Sequence, residues 1–262
     1  MAQDGASEAT VLLTGGTGTL GRAVHEELKA DGARVRILSR RPRPKDVDAS
    51  EWATADLRKN EGLAEAVDGV DVIVHCATAP RGDVAAAKNL IAAAKATSGR
   101  PHLVYISIVG IDDIPMFYYR SKREVEDLVA SAELPWTTVR ATQFHNLVHS
   151  MFAGQRRLPL LFAPSIRFQP IDVRDVAARL GEIVDKPAAG RVPDIGGPEV
   201  RTAEDLAAAY SKAAHRRRRI VPISLPGGTF AAYRDGHNLA PSSVFGTITF
   251  EQHLADREPQ SH

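Results

Sequence analysis

The sequence predicts an α/β protein built on a doubly wound parallel sheet, with a small C-terminal substrate cap. Short apolar strands alternate with helical patterns through the first 140 residues, and a glycine-rich turn joins the first strand to the first helix. The pattern becomes irregular after residue 141. Repeated strand–helix units favour parallel strands covered by helices on both faces. We therefore expect a single domain over residues 1–262, in which residues from about 143 to 262 cap the carboxyl edge of the sheet.

The first strand, turn and helix come from residues 11–28. An apolar run leads into Gly15, Gly18 and Gly21, after which apolar residues recur every four positions. Gly15 permits a tight turn, Gly18 lets the backbone approach a pyrophosphate, and Gly21 lets the helix pack on the strand. This order predicts a Rossmann-like dinucleotide site whose phosphates bind at the helix N-terminus. The residues predicted to line it are Gly15, Thr17, Gly18, Thr19 and Leu20. As a plain loop, the turn would carry three glycines at an entropic cost without use.

The later elements follow from the same patterns. Strands are expected over residues 34–38, 71–75, 102–106 and 136–140, each rich in apolar or β-branched residues. Helical spacing occupies residues 84–96 and 143–152, and proline makes residues 157–168 loop-like. Asp172 and Thr202 are expected to begin two more helices, with a strand-to-turn signal at residues 194–198.

The end of the second strand bears on the choice of cofactor. An NAD-specific fold places an acid there for the ribose 2′-hydroxyl. Here the strand runs into Ser39 and Arg40, and no acid follows before Asp46. Ser39 and Arg40 suit a 2′-phosphate, which arginine contacts in a bidentate manner. The sequence therefore favours NADP, with NAD possible; the alternative is a solvated basic turn.

Tyr118 and Lys122 form the second informative pattern. They lie four residues apart at the start of a helical segment, which places the phenol beside the ammonium. A nearby ammonium lowers the proton affinity of a tyrosine, which suits acid–base catalysis on a carbonyl or alcohol oxygen. Ser107, at a strand end, is expected to hydrogen-bond the same oxygen. The alternative is a surface tyrosine and a solvated lysine.

Candidate substrate residues follow the last clear strand. Gln143, Phe144 and His145 are expected at the mouth of the nicotinamide pocket. Phe144 and Met151 indicate an apolar, aromatic-accepting pocket. The alternatives are that His145 caps or packs, and that the apolar residues belong to a helix buried in the cap.

Composition excludes several classes of function. The 262 residues carry 33 Lys and Arg against 32 Asp and Glu, so no global field favours nucleic acid or an anionic membrane. The basic run 216–219 is interpreted as a solvated helix end. The single cysteine, Cys76, excludes a disulfide framework and fits a reducing cytosol. No apolar run approaches the roughly 20 residues that span a bilayer, and the histidines show no metal-ligand spacing. We expect a cytoplasmic monomer or homodimer that binds a small molecule and no metal.

The chain resembles the short-chain dehydrogenase/reductase superfamily over most of its length. Residues 14–21 (TGGTGTLG) match the superfamily's T-G-x-x-G-x-x-G, and residues 118–122 (YYRSK) fit its Y-x-x-S-K. Three segments look like its atypical NAD(P)H-binding, NmrA-like branch: 105–110 (YISIVG), 134–145 (LPWTTVRATQFH) and 170–177 (PIDVRDVA). Ser107 lies closer to Tyr118 than the superfamily's serine does to its tyrosine.

The resemblance implies an NAD(P)H-dependent oxidoreductase that reduces a carbonyl or quinone, with an apolar or bulky aromatic substrate. Lys122 then also holds the nicotinamide ribose, Asp56 and Leu57 form the pair on the adenine side, and Ala77 and Thr78 line the cofactor. The branch also contains redox sensors without turnover and tailoring enzymes of aromatic natural products. A non-catalytic sensor that binds a protein partner and an oxygenase-type tailoring enzyme are therefore alternative hypotheses.

Overall fold

The structure is a computed structural model that describes residues 9–78 and 81–257. The strands are β1 (Thr10–Thr14), β2 (Arg34–Ser39), β3 (Trp52–Thr54), β4 (Val72–His75), β5 (His102–Ile108), β6 (Trp136–Ala141), β7 (Leu160–Pro164), β8 (Arg167–Phe168), β9 (Gly190–Arg191), β10 (Arg201–Thr202) and β11 (Arg219–Ile223). The helices are α1 (Thr19–Ala30), α2 (Leu63–Val67), α3 (Asp83–Ala96), α4 (Phe117–Ala130), α5 (His145–Ala153), α6 (Val173–Val184), α7 (Ala203–Ala213), α8 (Gly228–Asp235) and α9 (Phe250–Ala255), with a 3-10 turn at Ala49–Glu51. No helix among the described residues is long and apolar enough to cross a membrane.

Seven strands form one parallel sheet in the order β3-β2-β1-β4-β5-β6-β9. β1 pairs with β2 on one side and β4 on the other, so Thr14 lies level with Leu38 and His75. The strand order reverses at this point, and doubly wound sheets bind ligands in the crevice at the carboxyl ends of the strands there. The predicted Rossmann-like fold is confirmed, and it places the glycine turn at this crevice.

By their internal contacts, the described residues divide into two compact units. The first takes the described part of residues 1–106 with 121–138 and 177–192. Its core contains Leu12, Ile73, Leu90 and Leu103, each at most 1% exposed. These apolar side chains are buried because central parallel strands are covered by helices and lose contact with water.

The second unit takes residues 107–120, 139–176 and the described part of 193–262. Phe152, Leu161, Leu206 and Phe250 form its main core. A smaller cluster contains Ile111, Ile114, Tyr119 and Ala232. The unit includes most of the predicted cap and adds residues 107–120, which the sequence did not assign to it. The prediction that the chain is one domain with a cap stays a prediction.

The early elements and two helix starts are confirmed. The predicted strands at 34–38, 71–75, 102–106 and 136–140 correspond to β2, β4, β5 and β6, and the pattern at 84–96 is α3. Asp172 accepts a hydrogen bond from the Arg174 N–H at 3.0 Å at the start of α6. Thr202 caps α7 by accepting from the Asp205 N–H at 3.1 Å.

The loop prediction for residues 157–168 was wrong. They contain β7, which pairs in parallel with β11, and β8, which pairs with β10. Pro159 precedes β7 and Pro164 is its last residue. The pairing of β7 with β11 therefore loses few backbone hydrogen bonds. The segment 194–198 forms single bridges, Ala141 to Ile195 and Gly196 to Val244, while the last strand of the large sheet is the two-residue β9.

Candidate cofactor and active site

The glycine turn is so tight that two of its three glycines, Gly15 and Gly21, leave no room for a side chain. Gly15 has φ +71°, and a Cβ there would lie 2.7 Å from the Ala77 nitrogen. A Cβ on Gly21 would lie 2.0 Å from the Gly15 carbonyl oxygen. Gly18 donates its N–H to the same oxygen at 2.9 Å, and a Cβ on Gly18 would lie 3.2 Å from it. The turn therefore brings α1 against β1 and leaves Gly18 at its outer edge.

The N-terminus of α1 is suited to an anion. Its N-cap is Gly18, which has no side chain to accept from the first N–H groups, and its first turn carries no acidic residue. Thr17, Gly18 and Thr19 are exposed, whereas Leu20 is buried. Exposed N–H groups at the positive end of a helix dipole fit the pyrophosphate of a dinucleotide.

The end of β2 carries the predicted groups for a 2′-phosphate. Ser39 is buried, and its hydroxyl accepts from the Arg41 N–H at 3.1 Å. Arg40 and Arg41 are exposed, and within the described part of the chain neither side chain forms an ion pair. This turn therefore presents two guanidinium groups to solvent beside the dinucleotide crevice.

A buried polar chain joins the turn to β4. Thr14 Oγ1 accepts from the Ala77 N–H at 3.1 Å and lies 2.8 Å from His75 Nδ1. Burial, aided by the charge of Lys122, lowers the pKa of His75 to about 3. Burial raises the pKa of the Cys76 thiol to about 12. Both groups are therefore neutral around pH 7, and Cys76 is not an activated nucleophile.

The remaining predicted cofactor residues lie at the ends of β3 and β4. Asp56 Oδ1 accepts from the N–H groups of Arg58 and Lys59 at 2.9 and 3.3 Å, which fixes the turn after β3. Leu57 is buried in the core of the first unit, and Ala77 is a partly buried residue packed against that core. Thr78 is exposed and donates its hydroxyl to Asp83 Oδ2 at 2.9 Å. Their contacts with the dinucleotide stay predictions.

Lys122 lies on α4 and is buried in the first unit. Its Nζ is 3.6 Å from Asp83 Oδ2, and both side chains are 6% exposed. Nζ also lies 5.3 Å from the ring centroid of Tyr105, a cation–π distance. Burial lowers the pKa of Lys122, and the charge and hydrogen bond of Asp83 oppose that effect.

The tyrosines of α4 belong to the second unit. Tyr119 is buried and hydrogen-bonds the Tyr233 hydroxyl at 2.9 Å, and burial raises its pKa. Tyr118, by contrast, is half-buried at the edge of the small cluster. The Ser107 hydroxyl is buried and has no hydrogen-bond partner among the described residues. Of the two adjacent tyrosines, Tyr118 is therefore the more exposed residue.

The predicted substrate residues differ in exposure. Gln143 is buried and exchanges hydrogen bonds with Asn238, its Oε1 accepting at 3.3 Å. His145 is 1% exposed, and its Nε2 lies 2.9 Å from the Ile248 carbonyl oxygen. Phe144 and Met151 are half-buried. The burial of His145 agrees with the packing alternative for that residue. A substrate role for all four residues stays a prediction.

The pairings of two buried acids with basic side chains were not predicted from the sequence. Asp83 pairs with Lys122, and Asp172 accepts from His253 Nδ1 at 2.9 Å. Asp172 was recognised as a helix cap because capping is local in sequence, but its histidine partner is not. An acid in the first turn of α3 was the available signal for Asp83, and it does not identify Lys122 as the partner.

The uncapped helix N-terminus behind a glycine turn, at the switch point of a parallel sheet, defines a dinucleotide-binding protein. The chain belongs to the NAD(P)H-binding family, whose sequence model matches residues 15–187. The predicted cofactor class and the predicted membership of an NAD(P)H-binding family are thereby confirmed.

The relatives include reductases. A (4-alkanoyl-5-oxo-2,5-dihydrofuran-3-yl)methyl phosphate reductase of Streptomyces griseus is 32% identical over 225 residues, covering 82% of this chain and 77% of that protein. An NAD(P)H azoreductase of Xenophilus azovorans is 30% identical over 234 residues, with the same 82% and 77% coverage. An NADPH-dependent quinone oxidoreductase of Escherichia coli, solved with NADPH, shares the fold with a TM-score of 0.79 at 19% identity, covering 94% of this chain and 99% of that one. The chain is thus a member of an NAD(P)H-binding reductase family.

Proposed function

We propose that this protein is an NADPH-dependent oxidoreductase that reduces the carbonyl or quinone of a small apolar or aromatic molecule. The observation that carries the proposal is α4, which presents a half-buried Tyr118 one helical turn before the buried Lys122. Relatives that reduce a phosphorylated dihydrofuranone and azo compounds support reduction as the reaction class. The exposed Arg40 beside Ser39 supports NADPH over NADH.

The proposed chemistry divides between cofactor and side chains. NADPH supplies a hydride when bound. Tyr118 donates its phenolic proton to the substrate oxygen, so that a carbonyl gains one hydride and one proton and becomes an alcohol. Lys122 stabilises the negative charge left on the phenol and holds the nicotinamide ribose. Ser107, whose buried hydroxyl has no partner among the described residues, hydrogen-bonds the same substrate oxygen.

Tyr118→Phe should lower turnover strongly while preserving cofactor affinity, because it removes the proton donor and keeps the ring. General acid catalysis typically supplies roughly 10²–10⁴-fold, so kcat should fall within that range. The measurement is NADPH oxidation with a panel of quinones and aldehydes, with NADPH affinity determined by calorimetry.

Tyr119→Phe is the matched control, since it removes the same atom from the neighbouring residue. It costs the hydrogen bond to Tyr233 and should leave kcat within about threefold of the unsubstituted protein. Equal turnover in Tyr118→Phe and the unsubstituted protein would contradict the acid assignment and favour a tailoring reaction in which the substrate supplies the chemistry. NADPH binding without reduction of any panel member would favour a redox sensor.

A further inference from the structure

We propose that Asp83 is the positioning residue that holds Lys122 in place as a buried ammonium, and that Thr78 orients the Asp83 carboxylate. What Lys122 does during turnover rests on the proposed function. The ion pair itself, and its effect on cofactor binding, are independent of any substrate and can be tested without one.

The first support is the cost of burying Lys122. Its side chain is 6% exposed, and an unpaired ammonium in such a site favours the neutral amine. The Asp83 carboxylate, itself 6% exposed and 3.6 Å away, compensates that cost. A lysine that must stabilise a phenolate and bind a ribose through N–H donors needs its proton, so the carboxylate preserves the useful state.

The second support is the chemistry of the groups around Lys122. The Tyr105 ring faces Nζ, and His75 stacks on that ring with centroids 5.6 Å apart. His75 is neutral at working pH because burial lowers its pKa to about 3, and the Cys76 thiol is protonated because burial raises its pKa to about 12. These groups supply no negative charge, so within this cluster the charge opposite Lys122 comes from Asp83.

The third support is how Asp83 is fixed. It begins α3, where a helix N-terminus favours a carboxylate, and the N-cap before it is Gly82, which has no side chain to compete. The Thr78 hydroxyl donates to Asp83 Oδ2, the same oxygen that lies nearest Lys122 Nζ. Thr78 is also a predicted cofactor contact. The hydrogen bond from Thr78 to Asp83 and the ion pair from Asp83 to Lys122 therefore link the loop after β4 to the lysine of α4.

The test compares Asp83→Asn with Glu124→Gln. Lys88 and Glu124 also join α3 to α4, but at 4.0 Å and with more than half of each side chain exposed, so Glu124→Gln removes an acid between the same helices at the surface. Two properties are measured: the Kd of NADPH by calorimetry, and the titration midpoint of Lys122 by NMR of lysine-labelled protein, with Lys122→Met identifying its signal.

Asp83→Asn should lower the titration midpoint of Lys122 by about one pH unit or more and weaken NADPH binding about tenfold or more. Glu124→Gln should leave both within experimental error. Thr78→Val should shift both in the same direction by a smaller amount, and it keeps the charges if Asp83→Asn does not fold. Asp83→Asn leaves the buried ammonium of Lys122 unpaired, so adding Lys122→Met to it should restore thermal stability. The double variant should not recover NADPH affinity, because the lysine is absent.

An unchanged Lys122 titration in Asp83→Asn, or in Thr78→Val where Asp83→Asn does not fold, would overturn the proposal. So would a shift of equal size in Glu124→Gln. Neither readout needs a substrate, so a failure of the reductase assignment, seen as binding without turnover, is distinguishable from a failure of the Asp83 assignment.

Discussion

Arg40 is exposed at the end of β2, next to the buried Ser39 and beside the dinucleotide crevice. If it forms a bidentate contact with a 2′-phosphate, its loss removes about 1.5–3 kcal/mol of charge-assisted hydrogen bonding. Arg40→Ala should therefore weaken NADPH binding roughly tenfold or more and leave NADH binding nearly unchanged. Parallel calorimetric titrations with the two cofactors measure the difference.

Arg34→Ala provides the control for this prediction. Arg34 is equally exposed but lies at the amino end of the same strand, away from the glycine turn. It should alter neither affinity. If the unsubstituted protein binds NADH as tightly as NADPH, the choice of cofactor does not depend on this arginine.

Residue types at fixed local spacing were predictable, and contacts between distant segments were not. Tyr118 and Lys122 lie on one helix, and their predicted proximity follows from the sequence because four residues make about one helical turn. Asp83 lies on another helix, and its pairing with Lys122 depends on how α3 and α4 pack. The burial of Gln143 and His145 likewise depends on Asn238 and Ile248, which come about a hundred residues later.

At the scale of elements, a substitution at the junction of β1 and α1 should weaken cofactor binding without preventing folding. Gly18 has φ −82° and ψ 179°, a backbone conformation that valine adopts readily. Gly18→Val should therefore fold, with some loss of thermal stability because its Cβ lies 3.2 Å from the Gly15 carbonyl oxygen. Its added methyl groups occupy the space before the helix N-terminus. NADPH affinity should fall at least about tenfold, measured by calorimetry beside thermal unfolding.

The same substitution at another glycine controls for the added bulk. A Cβ on Gly99 would meet its nearest neighbour, the Val70 carbonyl oxygen, at 3.9 Å, which is ordinary contact. Gly99→Val should bind NADPH normally. Undiminished affinity in Gly18→Val would remove the phosphate site from the α1 N-terminus.

Elements whose partners are remote were the ones that the sequence missed. β7 is bounded by proline and pairs with β11, about sixty residues later, in a separate two-stranded sheet. Its neighbour β8 has two residues, too few to show an alternating pattern. The helices α6 and α7 were predicted because Asp172 and Thr202 cap them through contacts within three residues.

For the whole molecule, the alternation of strands and helices was sufficient to predict the parallel sheet. Apolar runs buried on both faces have a distinctive composition, and short crossovers restrict the order in which such strands combine. The second unit has no comparable repeat. It combines residues 107–120 with segments after 139, and its cores depend on packing between segments that are remote in sequence.

Buried His75 should make the stability of the molecule depend on pH. Its pKa is about 3 in the folded chain, because burial disfavours the charged ring, against 6.5 for an ordinary histidine. Between these values the unfolded chain binds one more proton, so the His75 contribution to the free energy of unfolding is fully present above pH 6.5 and is lost as the pH falls toward 3.

His75→Asn keeps a polar atom near Thr14 Oγ1 and removes the titration. In urea unfolding from pH 7 to pH 4, the free energy of unfolding of this variant should decline less steeply, by up to about 1.4 kcal/mol per pH unit. Thr14→Val removes the hydrogen bond but leaves the ring, so its curve should be lower and keep the original slope. Parallel curves for His75→Asn and the unsubstituted protein would show that His75 is protonated without cost in the folded chain.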